Sequence, residues 1–363
     1  MRRLPDRDGV TEGYELTPSI PVRHEPANFE AKFAALGRSD VLTVETVDDP
    51  MDLAPLPDRP AIDWMPLVYS ARTTVASVRL GSLRLSAIRL PPCLFEGRLD
   101  DDHAVVWIPM EDDHDAVVNG RVVPSNILVY GAPGARFQAY WPLRTRPAQC
   151  AFGLVLRRAD IPADWPEGKV LFRVQEVNPD GLSDLRDRLW TLFLTASEDP
   201  DGFAASNADA AVADLLQKVG TLFSGSRRRD RSREPLALQH LETMDRLDAM
   251  MTSRLDRPIS SEDAARYTGV ALRTLHNVTT SMRGMSLQTY VKTRKMRSAR
   301  RHLLRGVCCD LVKQAALMHG YTHLGRFAQE YTKFFGEPPS ATLARKLVDV
   351  AAPTNRASAG IDG

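Results

Sequence analysis

The stretch GYTHLGRFAQEYTKFFGEPPS, residues 320–340, decides the fold of the last third of the chain. Gly320-Tyr321 reads as a turn, and Thr322 as an N-cap for a helix over residues 323–334. Leu324, Phe327, Tyr331 and Phe334 recur at three- and four-residue steps and form its apolar face. His323, Arg326, Gln329 or Glu330, and Lys333 make the polar face. Residues 310–319 read as a shorter helix before the turn, which gives a helix, a tight turn and a second helix.

Upstream the pattern occurs again. After a lead-in helix over residues 235–255, Ser260 opens a short helix that runs to Tyr267, with Asp263 placed close to a capping box. Thr268-Gly269-Val270 turns the chain, and the next helix runs from about Ala271 to Arg283. Leu275, Val278 and Met282 lie on one side of it. Arg273, His276, Asn277 and Thr280 fall at i, i+3, i+4 and i+7 and form a polar stripe on the other. Such a stripe can read base edges in a major groove, although a solvated helix shows one too. Repetition favours the first reading. Between the two units a basic helix over residues 287–304 is expected, about 27 Å long at ~1.5 Å per residue.

Charge follows this division. The net charge is +1, yet residues 226–346 carry 23 Lys+Arg against 11 Asp+Glu, and the rest of the chain carries 24 against 35. A basic block joined to an acidic remainder suits a nucleic-acid-binding module with a separate partner domain. GSRRRDRSRE, residues 225–234, has no apolar residue and reads as a flexible linker that lets the two parts move.

Residues 1–60 are rich in Pro and Asp and are expected to form a partly ordered arm with one short helix over residues 29–36. From residue 67 to 158 the period changes to two, as in Leu83-Arg84-Leu85-Ser86, with turn signals at Gly81, Pro91-Pro92 and Pro133-Gly134. Asn119-Gly120 between paired valines predicts a type I′ hairpin. Many short strands favour a small barrel or sandwich, a form that can enclose a ligand. Two amphipathic helices follow, one with Leu182, Leu185, Leu189 and Phe193, the other with Leu215, Val219 and Leu222. They suit either a dimer interface or packing on their own sheet.

Residues 258–346 look like the C-terminal DNA-binding domain of the AraC/XylS family of transcriptional regulators. The motifs that carry the resemblance are Ala265 with Gly269, Arg273-Thr274-Leu275, Gly284, and Tyr290 followed by Arg294-Lys295-Met296 and Ala299, together with the whole of residues 320–340. Arg273-Thr274-Leu275-His276-Asn277 and the second-half variant look most like the branch that holds the ethanolamine-utilisation activator. The resemblance implies two helix-turn-helix motifs whose recognition helices enter successive major grooves on one face of the duplex, about 34 Å apart. It places Arg273, His276 and Asn277 against bases in the first half, flanked by Thr274 and Thr280. In the second half it places Leu324, Gly325 and Gln329 there, with His323 beside them. Periodicity buries Leu324 and favours Arg326 instead. Arg to guanine and Asn to adenine are the common bidentate contacts, so specificity should lean on the first half. Ser260, Lys292, Arg294, Thr322 and Lys333 are expected at phosphates. The sequence departs from the family at Thr279, where an aromatic is usual, at Ala271 in place of a Ser cap, at Leu287 in place of Pro, and at Ala315 in place of Ile.

The expected fold class is α+β: residues 61–160 a cupin-like β barrel or sandwich, 161–224 helical, 225–235 a linker, 236–347 an all-α DNA-binding domain and 348–363 a disordered tail. Expected partners are double-stranded DNA, RNA polymerase, a small-molecule effector and a second copy of the chain. No cofactor, metal or membrane is implied. His103, Glu111 and His114 lack an HxH pair, Cys308-Cys309 suits structural thiols better than a redox sensor, and no catalytic set is legible. The expected location is the cytoplasm, on the bacterial nucleoid. A cupin-type enzyme or ligand-binding protein with an accessory DNA module is the competing class.

Overall fold

The computed structural model describes residues 27–49, 62–67, 72–110, 116–123, 126–141, 148–165, 171–225, 234–305 and 311–351. The linker arginines, Glu111, His114 and Cys308-Cys309 lie outside the described residues.

Helix α1 (Ala27–Ala35) precedes the strands β1 (Leu42–Val47), β2 (Ile62–Pro66), β3 (Thr73–Leu80), β4 (Leu83–Leu90), β5 (Cys93–Arg98) and β6 (His103–Pro109). Then follow β7 (Val117–Val118), β8 (Arg121–Val122), β9 (Ile127–Gly131), β10 (Arg136–Tyr140), β11 (Gln149–Arg157) and β12 (Arg173–Glu176). They form two antiparallel sheets, one of seven strands in the order β1-β3-β4-β11-β6-β9-β12 and one of five in the order β2-β5-β10-β7-β8. The alternating stretch pairs as the β3–β4 hairpin, with Val78 opposite Leu85 and Leu80 opposite Leu83. Asn119 and Gly120 have φ of 50° and 74°, the doubly positive pair that a type I′ turn requires, and they join β7 to β8.

Period two sorts the sheet residues into layers. One face of the seven-stranded sheet presents Leu85, Val106 and Leu154 to the helices α2 (Pro179–Glu198), α3 (Pro200–Ala205) and α4 (Ala208–Ser224). Asn178, Asp199 and Asn207 cap these helices, each side chain accepting a backbone N–H three residues on. Leu185, Leu189 and Phe193 of α2 and Leu215 and Val219 of α4 are buried against that face. Of the two roles open to these helices, the structure shows packing on their own sheet. Between the sheets the interior is filled by rings. Phe95 lies 4.5 Å from Trp107 and 4.7 Å from Trp141, and Phe137 lies 4.5 Å from Phe172. Residues 27–47, expected in an arm, are built into this domain: β1 pairs with β3, and Phe33 meets Trp190 edge-on at 5.6 Å.

The helical third contains α5 (Glu234–Ser253), α6 (Ser261–Thr268), α7 (Leu272–Arg283), α8 (Leu287–Arg305), α9 (Val312–Met318), α10 (Leu324–Phe335) and α11 (Pro339–Ala351). Two cores form along α8. Leu287, Tyr290 and Val291 join Leu275, Val278 and Met282 of the first unit, and Met296, Ala299 and Leu303 join Phe327, Tyr331 and Phe335 of the second. One 19-residue helix, about 28 Å long, therefore sets the separation of the two units.

The outer face of the five-stranded sheet docks on the first unit. Met65, Leu94, Val117 and Tyr140 share a core with α5, α6 and α7. The Gln138 amide donates to the Met282 carbonyl, and the Arg297 guanidinium to the Trp64 carbonyl. Gly284 ends α7 at φ 68°, and a Cβ there would stand 2.5 Å from the Tyr140 ring, so this contact needs glycine twice over. The sequence suggests parts that move freely about a linker; the structure holds them together through these contacts.

Candidate nucleic-acid interface

In α7 the apolar residues Leu275, Val278 and Met282 are buried, which turns the opposite stripe outward. Arg273, Thr274, Asn277 and Thr280 are exposed and His276 is half-buried. Thr279 is fully buried, and its hydroxyl donates to the Leu275 carbonyl at 2.8 Å, so the atypical residue satisfies its polar group within its own helix. Ala271 occupies the N-cap in extended conformation without a side-chain bond. Ser260 caps α6 by accepting the Asp263 N–H at 3.0 Å, and remains exposed.

In the second unit Phe327, Tyr331 and Phe335 are buried, while His323, Gly325, Arg326 and Gln329 are exposed. Two expectations change here. Leu324 is 39% exposed: its direction is that of Tyr331, but it opens the helix, and the members of the second core on α10 begin at Phe327. Leu324 is therefore exposed, as a contact with bases would require, and the burial suggested by periodicity is not observed. Thr322 is exposed but is not the N-cap; His323 holds that place, with no side-chain cap bond. Space lies open above the Gly325 backbone, as a Cβ there would meet nothing within 4 Å.

Of the expected phosphate ligands, Lys292 and Lys333 are exposed. Arg294 is not on that surface. Its guanidinium turns to the β domain, 3.1 Å from Asp63 and 3.9 Å from Glu96, with Asp248 of α5 at 3.7 Å. Beside it Arg283, 1% exposed, bonds both Glu96 and Asp248, and the Tyr290 hydroxyl donates to Asp248 at 2.7 Å. Two arginines from the helical third and three carboxylates thus form one cluster across the domain boundary. Burial pushes the Glu96 carboxyl above its ordinary value, with Arg283 opposing. Burial also pulls Arg283 down, but Tyr290, Glu96 and Asp248 more than reverse this and keep it charged. Nothing in the periodicity of α7 marks Arg283 for this role. A second link joins Arg136 of β10 to Asp245 of α5 at 2.6 Å. Part of the basic excess that suggests DNA is therefore neutralised by the acidic domain.

Between the two units lies a cleft of about 440 Å³, lined by Lys292, Lys295, Thr322, His323 and Arg326 among others. Glu330 lies in its wall, bonded to Lys292 and Arg326. His319 also lines it, with its ring Nδ1 2.7 Å from the Ala315 carbonyl. Burial, together with the nearby His302 and Lys295, lowers its pKa to about 4 against an ordinary 6.5, and the bond to Ala315 only partly offsets this. The unfolded chain takes up this proton first as the pH falls. The stability tied to neutral His319 is therefore present above about pH 6.5 and lost as the pH drops towards 4. Denaturant unfolding should show wild type losing about 2 kcal/mol relative to His319→Leu between about pH 7 and pH 5. An unchanged difference would mean that His319 titrates alike in both states.

Among the described residues no helix is long and apolar enough to cross a membrane, and no group of three or more His, Cys, Asp or Glu side chains could hold a metal.

Residues 264–345 match the model of a helix-turn-helix domain family. The XylDLEGF operon transcriptional activator of Pseudomonas putida is 32% identical over 111 residues, which is 30% of this chain and 34% of that protein. The probable thc operon regulatory protein of Rhodococcus erythropolis is 32% identical over 94 residues, 26% of this chain and 28% of its own. The chain thus spans about a third of the length of these two relatives. A solved structure, a probable AraC family transcriptional regulator from Rhodopseudomonas palustris, is 31% identical over 29% of this chain and 96% of that one, at a TM-score of 0.26. The sequence matches coincide with the two units built on α8, and residues 264–345 are a helix-turn-helix domain.

Proposed function

We propose that this chain is a sequence-specific DNA-binding transcriptional regulator, an activator, whose β domain senses a small molecule or carries the contacts of a dimer. One observation carries the reading: two exposed polar helix faces, on α7 and α10, are held at a set distance by a single helix packed into both cores. That arrangement suits two adjacent major grooves. Arg273, Thr274, His276, Asn277 and Thr280 are assigned to bases in the first groove. His323, Leu324, Gly325, Arg326 and Gln329 are assigned to the second. Ser260, Thr322, Lys292 and Lys333 are assigned to phosphates. Arg294, held by three carboxylates, is assigned to the domain boundary.

The activator sense follows the printed role of the relatives from Pseudomonas putida. A regulator of this kind works beside RNA polymerase at a promoter, in the cytoplasm. Because the inter-sheet space is filled by aromatic rings, an effector needs either a rearrangement of those rings or a site elsewhere on the domain. The test is selection of duplexes from a random pool by the full chain. A two-part motif with its halves about 10 base pairs apart is expected, and a pool that returns no shared sequence would overturn the reading.

A further inference from the structure

Glu330 has no place in the roles assigned so far, yet it sits where the two units meet. It lies on the fourth residue after Arg326 in α10, and Arg326 Nε donates to its Oε1 at 3.0 Å. Its other oxygen, Oε2, lies 3.2 Å from Lys292 Nζ on α8. Each carboxylate oxygen therefore holds one cation. The two cations reach further into solvent than the carboxylate: the Arg326 side chain is 77% exposed and that of Lys292 52%, against 20% for Glu330. Glu330 is the one acidic residue among those lining the cleft, whose cations also include Lys295. Lys295 is tied by its ammonium to the Arg257 carbonyl at 2.5 Å.

This arrangement has a consequence for discrimination. Exposed lysines and arginines facing DNA bind any phosphate, which is the sequence-independent part of affinity. A carboxylate set behind two of them neutralises part of that attraction and repels a phosphate that comes close. In a complex with the wrong bases Arg326 and Lys292 meet phosphates beside the carboxylate and bear the penalty in full, whereas the right bases draw Arg326 to a base edge and away from Glu330, so the penalty is smaller there. Specificity can be raised in this way, by weakening the wrong complex.

We propose that Glu330 is a specificity-determining residue: it acts as an internal counter-ion for Lys292 and Arg326 and suppresses binding to DNA of the wrong sequence. The inference rests on the DNA-binding reading given above. It differs from a purely structural tie between α8 and α10 in what it demands of non-specific affinity. A structural tie, once cut, would leave binding to arbitrary DNA weaker or unchanged. A counter-ion, once neutralised, leaves it tighter.

The experiment titrates the full chain, as wild type and as Glu330→Gln, with a mixed-sequence duplex of about 30 base pairs, at salt from about 50 to about 200 mM. Glutamine keeps the size and a hydrogen-bonding group, and thermal unfolding of both proteins checks the fold. Glu330→Gln should bind the mixed duplex about tenfold more tightly at the low-salt end. Its plot of log affinity against log salt should steepen by about one to two, one unit for each cation released. The double variant Glu330→Gln with Lys292→Met should give back about one unit of that slope. Unchanged or weaker binding of the mixed duplex by a folded Glu330→Gln, while wild type binds, would overturn the counter-ion role and leave the DNA-binding reading standing. If wild type binds no duplex even at low salt, the DNA-binding reading fails and the counter-ion role fails with it.

Discussion

Arg283→Met should lower the unfolding free energy of the full chain by about 3–5 kcal/mol, the usual cost of removing one partner from a buried charge cluster. The Arg283 side chain is essentially inaccessible, and its guanidinium is shared by Glu96 of the β domain and Asp248 of α5. Methionine fills much of the space but leaves both carboxylates facing each other without that cation, with only Arg294 to offset them. Chemical denaturation at neutral pH measures the loss. The triple variant Arg283→Met, Glu96→Gln, Asp248→Asn separates two causes. If the penalty comes from uncompensated charge, the triple variant should recover most of the lost stability, since uncharged replacements of buried ion clusters are often close to neutral. If Arg283→Met costs less than about 1 kcal/mol, the cluster does not hold the domains together and the boundary depends on its apolar contacts, chiefly Leu94, Tyr140 and Met282.

The second large effect is on binding. Arg273→Ala together with Asn277→Ala should weaken binding to a selected site by at least about thirtyfold, since each bidentate base contact supplies about 1–3 kcal/mol of discrimination. Binding to a mixed-sequence duplex should change by a few-fold at most, because only one of the two removed side chains is charged. Both residues are exposed on α7, away from the buried face of Leu275, Val278 and Met282, so the double variant should fold as wild type does. Competition between the selected and the mixed duplex gives both numbers in one experiment. Retained preference for the selected duplex would remove the first recognition helix from the reading of bases.

Much of the helical third was legible because its elements are fixed locally. The 3.6-residue period located the buried stripe of α7, and the glycines at positions 269 and 284 marked where helices end. Thr279 shows the same local logic, as the backbone partner it needed lies one turn back. The β domain was legible in its period of two and its Asn-Gly hairpin, but not in its extent. Strand β1, LTVETV, was missed because it lies at the edge of the seven-stranded sheet with only Leu42 fully buried, so alternation along it is weak. Helix α11 was missed as well. Its sign was Pro339 at a first helical position, and Thr342 within it accepts a bond from the Tyr331 hydroxyl at 2.9 Å.

Arg294 marks the limit of reading a basic helix in isolation. On α8 it is one of several cations at suitable spacing for phosphates, and no local pattern separates it from Lys292. The distinction is made by Asp63 and Glu96, about 200 residues earlier in sequence, and by Asp248 on α5. The opposite net charges of the two parts of the chain held the clue. An acidic domain and a basic domain in one chain attract each other before either meets a partner. Leu324 shows the converse limit: helical direction predicts burial only where a core lies opposite the residue.

The most direct measurement of the central claim is hydroxyl-radical footprinting of the full chain on a duplex selected from a random pool. Two protected segments are predicted on one face of the duplex, centred about 10 base pairs apart, with the segment assigned to α7 lost in Arg273→Ala, Asn277→Ala. A single protected segment, or two segments on opposite faces, would contradict a pair of recognition helices held in successive major grooves by α8.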